Sequence, residues 1–151
     1  MVDIVDSLTR SRMMSGIRGK NTKPEILLRK ALFRRGFRYK LHAQALPGKP
    51  DLVLSKYKAV IMVHGCFWHG HQCHLFKWPS SNVDFWRQKI LDNVKRDKKC
   101  VSALQAAGWK VGIVWECALK GKRKKDLAAM VEGLCVWLQQ TRHSDLEISG
   151  R

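Results

Sequence analysis

Apolar positions along this chain fall into short stretches whose period switches between that of a helix and that of a strand. Ile26, Leu28, Ala31, Leu32 and Phe33 supply the contacts of a first helix. Thr22 is a good N-cap for it, Pro24 is tolerated in its first turn, Glu25 falls at the capping-box position and Gly36 stops it. Phe37, Tyr39 and Leu41 alternate as one face of a strand over residues 37–42 does. A turn at 46–50 leads to a second strand at 51–54. After a tight turn at 55–57 comes a third strand at 58–63, in which Ala59, Val60, Ile61, Met62 and Val63 are all apolar. A break at 79–82 precedes a long helix reaching about Ala107, with Asn82 as its cap. Its stripe is Trp86, Ile90, Val94, Val101 and Leu104, at helical spacing. Gly108 ends that helix, and a fourth strand covers 109–115. A basic turn at 120–125 is followed by a last amphipathic helix carrying Leu127, Met130, Val131, Leu134 and Leu138. The polar tail after Thr141 is expected to fray. At 151 residues, with no repeat and no linker, the chain reads as a single α/β domain.

The third strand ends in an unusual run. Residues 64–74 hold two cysteines, Cys66 and Cys73, and four histidines, His64, His69, His71 and His74, with Phe67 and Trp68 side by side among them. Open α/β sheets tend to place sites at the carboxyl ends of strands. Tetrahedral zinc takes four Cys or His ligands. Cys66, His71 and Cys73 supply three, and Cys117, which follows the fourth strand, is the best fourth. Four protein ligands close the shell, so the zinc is structural. The competing view is an ordinary loop with a chance excess of His and Cys. Cys100 and Cys135 lie in helical patterns as buried free thiols, which suits a reducing cytoplasm.

Charge narrows the partner. Twenty-nine Lys and Arg against twelve Asp and Glu give a net +17, which points to a polyanion. No run of 18 apolar residues exists to span a membrane, and no basic amphipathic helix with an exposed apolar face favours a membrane surface. The first dozen residues lack the apolar core of a signal peptide. Residues 1–21, with Arg10, Arg12, Arg18 and Lys20, read as a basic arm that orders on its partner, while Met13 and Met14 within it suggest packing onto the domain.

The acids and imidazoles suggest chemistry on phosphodiesters. Asp51 opens a strand, His64 and His69 end its neighbour, and Glu25 and Asp97 come from flanking helices. Asp97 lies on the apolar stripe of the long helix, where an inward carboxylate is costly unless partnered. Asp51 fits a magnesium ligand. His69 fits proton transfer, with Asp97 orienting its ring. Glu25 could hold a metal-bound water or serve only as the cap.

Four segments together, Leu-Pro-Gly-Lys-Pro-Asp at 46–51, His-Gly-Cys-Phe-Trp-His at 64–69, Asn-Val-Lys-Arg-Asp at 93–97 and Val-Trp-Glu-Cys at 114–117, resemble the very-short-patch mismatch-repair endonucleases. The resemblance runs from about Thr9 to about Gly121. It implies a restriction-endonuclease-like fold, a mixed central sheet flanked by helices with a structural zinc site. It implies nicking of double-stranded DNA on the 5′ side of the thymine in T·G mismatches left by deamination of 5-methylcytosine. By resemblance Asp51 is the magnesium ligand, His69 and Asp97 are the proton-transfer pair, and His64 lines the site. Cys66, His71, Cys73 and Cys117 hold the zinc. Phe67, Trp68 and Trp86 match aromatics that wedge into the base stack, Met14 matches a minor-groove wedge on the arm, and Lys89 and Asn93 match contacts to the mismatched pair. The implied protein is a cytoplasmic monomer, with a mismatch-repair ATPase as a further partner.

Two departures stand out. Many nucleases of this fold follow Pro-Asp with an acid-x-Lys on the next strand, but residues 63–65 here are Val-His-Gly. The metal would then use the Val63 backbone carbonyl, and His69 would replace the lysine. The tail after the last helix is also expected to be shorter than in the family. Two other readings compete: a zinc-stabilised DNA-binding module without catalysis, and a related nuclease for branched DNA or unmodified sites.

Overall fold

The structure is a computed structural model that describes residues 22–150. The basic arm, including Met13 and Met14, lies outside the described residues. Helix α1 runs Lys23–Arg34, with Thr22 extended at its N-cap and accepting the Glu25 N–H at 3.4 Å. Gly36, at φ +93°, closes it, and the Phe37 N–H bonds back to the Leu32 carbonyl. Strand β1 is only Lys40–Leu41, far shorter than the expected 37–42. Phe37 instead turns into the core, Leu41 is exposed, and His42 leaves the strand at φ +49°.

Strands β2 (Leu52–Leu54) and β3 (Ala59–His64) form an antiparallel hairpin across a 3₁₀ turn at Ser55–Tyr57. Helix α2 (Val83–Ala106) then crosses to β4 (Lys110–Trp115), which pairs parallel to β3. A short helix α3 (Glu116–Leu119), helix α4 (Leu127–Gln139) and strand β5 (Leu146–Ile148) complete the chain. The sheet is mixed, in the order β1-β2-β3-β4-β5, with β5 parallel to β4.

The alternation of side chains across the strands divides the core. Leu52, Leu54, Ala59, Ile61 and Val114 face α1 and α4, meeting Leu28, Leu32, Leu134 and Leu138. Val53, Val60, Met62 and Val111 face the other way, against Leu104 of α2. On the α4 side a Cβ at Gly112 would fall 2.9 Å from the Trp137 ring, so glycine there lets α4 lie close to the sheet. The ammonium of buried Lys110 donates to the carbonyls of Trp137, Leu138 and Gln140, tying off the end of α4. Cys135 is buried as expected, whereas Cys100 is only partly so.

Two local expectations fail. Asn82 precedes α2 in the left-handed region and makes no side-chain capping bond. The tail is an edge strand rather than a frayed end. Its Asp145 carboxylate accepts the Val111 N–H at 2.8 Å, and Glu147 accepts the Trp115 indole N–H at 2.6 Å. These bonds anchor a segment whose apolar content alone is small. No helix among the described residues is long and apolar enough to cross a membrane.

Candidate active site

The parallel register of β3 with β4 sets His64 opposite Trp115. Each strand then runs on into functional chain: the 64–74 loop from β3, and Cys117 from β4. The loop folds tightly, with the His71 N–H on the Cys66 carbonyl at 2.9 Å. Gly70 has φ +65°, and a Cβ there would fall 2.9 Å from Ile90, so glycine permits the loop to rest on α2. The ligand atoms of Cys66, His71, Cys73 and Cys117 all lie within 4.8 Å of one another. Two ligands each ~2.3 Å from one tetrahedral ion are roughly 3.8 Å apart, so the four residues expected to bind zinc fit one ion. Burial pushes the Cys66 thiol well above its usual range, and the neighbouring sulfurs add to this. A bound cation removes that cost, since it takes the thiolate form. N–H groups already point at the sulfurs: Gly150 at Cys117 (3.2 Å) and Leu75 at Cys73 (3.4 Å).

Asp51 stands at the entry to β2, where its Oδ2 accepts the Val63 N–H at 2.7 Å. Glu25 comes from α1 and is almost completely buried. Its N–H takes the Thr22 cap, but its carboxylate is directed into the site, with Oε2 2.7 Å from both Arg29 Nη1 and His42 Nε2. Glu25, His42 and Asp51 offer ligand atoms within 4.8 Å of one another. His42 was not picked out by sequence reasoning as a site residue. Burial pushes the Asp51 carboxyl up to about 7; the Val63 N–H opposes this, and nearby Glu25 reinforces it. Two buried carboxylates sharing a site repel unless a cation joins them, so the donor set suits a hard divalent metal.

This has a testable consequence for stability. An unfolded Asp titrates near 3.9, and the folded carboxyl near 7. The folded protein therefore loses stability as pH rises through that window without metal. Asp51→Asn should raise the metal-free melting temperature at about pH 8. The gain should shrink as pH falls through 7 and disappear near 4. Thermal melts of both proteins in chelator across that range check it, and an equal gain at every pH would show that Asp51 ionisation is not its source.

A second cluster lies alongside. His69 Nδ1 is 2.6 Å from Asp97 Oδ2, so the inward carboxylate of α2 has the histidine partner its position called for. His64 stacks on His69, with ring centroids 3.8 Å apart and planes 2° apart. Burial, with the adjacent His69 ring, drives the His64 imidazole down to about 3. His64 therefore stays neutral. His64 Nδ1 is buried with no hydrogen-bond partner among the described residues. Trp115 is the common wall of both centres: its ring stacks on His71 at 4.1 Å and meets His64 edge-on at 5.2 Å.

Phe67, Trp68 and Trp86 pack edge to face, with centroids 5.3 to 5.7 Å apart. Trp86 is buried at their base, while Phe67 and Trp68 are partly exposed. Asn93 donates from Nδ2 to the Trp68 carbonyl at 2.9 Å, and Lys89 is exposed on the same helix. Asn93 therefore holds the aromatic loop. Met14 lies outside the described residues.

Comparison with known proteins places these residues in a family context. The family described as DNA mismatch endonuclease Vsr matches residues 2–75. The chain is 44% identical over 138 residues to the DNA mismatch endonuclease Vsr of Escherichia coli K12, covering 91% of this chain and 88% of that protein. It is 52% identical over 122 residues to the type II nicking enzyme V.NmeAIP of Neisseria meningitidis serogroup A, covering 81% of this chain and 87% of the relative. It is 44% identical over 119 residues to the type II nicking enzyme V.XorIIP of Xanthomonas oryzae pv. oryzae, covering 79% and 88%.

Proposed function

Because this chain belongs to the Vsr family of DNA mismatch endonucleases, we propose that it recognises T·G mismatches in double-stranded DNA and nicks the strand 5′ of the mismatched thymine. The observation that supports this most is the meeting, at one strand end, of a buried carboxylate pair with an Asp97–His69 dyad. A binding module has no use for either, since buried ionisable groups cost stability.

Asp51 and Glu25, with the Val63 carbonyl as a further donor, would hold a magnesium ion, which would supply positive charge to the scissile phosphate. The chain's own groups do the rest. The Val63 N–H fixes the rotamer of Asp51. Asp97 holds His69 through Nδ1, which leaves Nε2 to move the proton at the attacking or leaving oxygen. Asp97 also stabilises the imidazolium as it forms. His64 stays neutral beneath His69 and keeps the ring plane fixed. Cys66, His71, Cys73 and Cys117 would hold a structural zinc that stiffens the loop carrying Phe67, Trp68 and His69. The surplus of basic residues attracts the DNA backbone.

Recognition and chemistry then share that loop. Unstacking costs less at a mismatch than in a paired duplex, so Phe67 and Trp68 enter there, with Trp86 as their platform. A base–aromatic stack contributes roughly 1–3 kcal/mol. Trp68→Ala should weaken T·G binding by about 5- to 150-fold and matched-duplex binding much less. Fluorescence anisotropy on both duplexes measures this, and an equal loss on each would make Trp68 part of the scaffold.

The function itself is tested by magnesium-dependent cleavage of T·G duplex, matched duplex and a four-way junction, with the nick mapped to the nucleotide. Preferential nicking 5′ of the mismatched thymine is the expected result. Equal or faster cutting of the junction would favour a nuclease for branched structures, and binding without cutting would favour the non-catalytic module. A mismatch-repair ATPase as recruiting partner, action as a monomer and a cytoplasmic setting complete the reading.

A further inference from the structure

We propose that His42 is a nitrogen ligand of the Glu25–Asp51 metal site and makes it favour manganese-like cations over magnesium. The inference rests on the reading that this site holds a divalent metal.

The spacing is that of ligands rather than of distant neighbours. Adjacent donors ~2.1 Å from one octahedral ion lie about 3 Å apart. His42 Nε2 is hydrogen-bonded to Glu25 Oε2 at 2.7 Å, a separation one ion could bridge with little movement, and the Asp51 carboxylate joins them within 4.8 Å. The ring's tether points the same way. The His42 N–H bonds to the carbonyl of Asp51 at 3.0 Å, so the two donors are carried on paired backbones. His42 is also one of the non-glycine residues with positive φ, at +49°. A strand residue that continued the pleat would follow the alternation set by Lys40 and Leu41. The left-handed turn breaks that alternation, and such outliers persist where the surroundings over-determine them. The side chain that results is only 16% exposed and directed at a buried carboxylate.

The chemical consequence follows from ligand type. Magnesium favours all-oxygen sites and sheds water reluctantly. An imidazole in place of one oxygen or water raises affinity for later divalent ions in the order magnesium, manganese, cobalt. The carboxylates remain hard donors, so magnesium still binds and the nitrogen changes the ranking.

The test uses full-length protein with its cysteine site loaded with zinc, and reads Mn²⁺ binding and its electron spin-echo modulation. Wild type, His42→Gln and Asp51→Asn are compared, with Mg²⁺ competition for each. The expected result is Mn²⁺ carrying nitrogen modulation in wild type, with that modulation lost in His42→Gln. Mn²⁺ affinity in His42→Gln should fall about 10-fold or more, while Mg²⁺ affinity changes about threefold or less. Mn²⁺ bound without nitrogen modulation, or modulation that survives in His42→Gln, overturns the assignment and leaves the carboxylate site standing. Mn²⁺ affinity that is unchanged in Asp51→Asn overturns the carboxylate site and the His42 assignment with it.

Discussion

His69→Ala is expected to lower single-turnover nicking of a T·G duplex by about 10²- to 10⁴-fold, the usual worth of a positioned acid–base group, while T·G affinity stays close to that of wild type. The geometry separates the two effects. His69 is tied to Asp97 and stacked on His64, so its ring belongs to the polar centre. The proposed recognition surface is Phe67 and Trp68, which lean on Trp86 instead. Asp97→Asn should reproduce part of the loss, because an amide still holds the ring but no longer stabilises its charged form. Binding and cleavage measured on the same preparations decide the matter. If His69→Ala loses affinity and cleavage in parallel, the residue is a structural member of the loop and the proton role passes elsewhere.

The second large effect concerns stability. Metal analysis of purified protein should find about one equivalent of zinc, and its removal, by chelation or by Cys117→Ala, should collapse the melting transition. Structural zinc in small domains contributes about 10–16 kcal/mol of apparent binding energy, against a whole-domain stability of about 5–15 kcal/mol. Cys117 is also a poor place to lose a side chain. It is fully buried, its sulfur accepts the Gly150 N–H, and the Gly150 backbone packs closely against the Cys117 carbonyl. A zinc on this ligand set would thus fasten the chain just after β4, the 64–74 loop and the chain just after β5 at one point. Well-folded, active protein without zinc would remove the four-ligand proposal.

Much of this was legible before any coordinates. Five consecutive apolar residues at 59–63 read as a buried strand, which β3 is, and the run of His and Cys after it marked a candidate site. Asp97 was betrayed by its place on an apolar stripe, where the structure supplies His69. Cys117 needed only two strands lying side by side, which the β3–β4 register provides. The misses share a cause: they depend on backbone angles or on single polar bonds. His42 reads as the end of a strand, and nothing in the sequence shows its left-handed turn toward Glu25. Asn82 is a good capping residue by type but takes a conformation in which its side chain does not cap. The 146–148 strand has two apolar residues and is held by Asp145 and Glu147, which pattern counts as solvent-facing. Glu25 is ambiguous in sequence because both readings have a place in the structure: its amide is capped while its carboxylate meets His42 and Asp51.

The shared wall at Trp115 bears on how such an enzyme fails. One indole touches both His71 of the cysteine cluster and His64, which stacks on His69, so damage to the cysteine cluster has a direct path to the proposed proton-transfer pair. Oxidation of the thiols, or loss of a zinc held by them, would then be expected to disturb the alignment of His64 and His69 as well. In a DNA-cleaving enzyme such a coupling would act as a safety interlock, making a worn copy inert rather than indiscriminate.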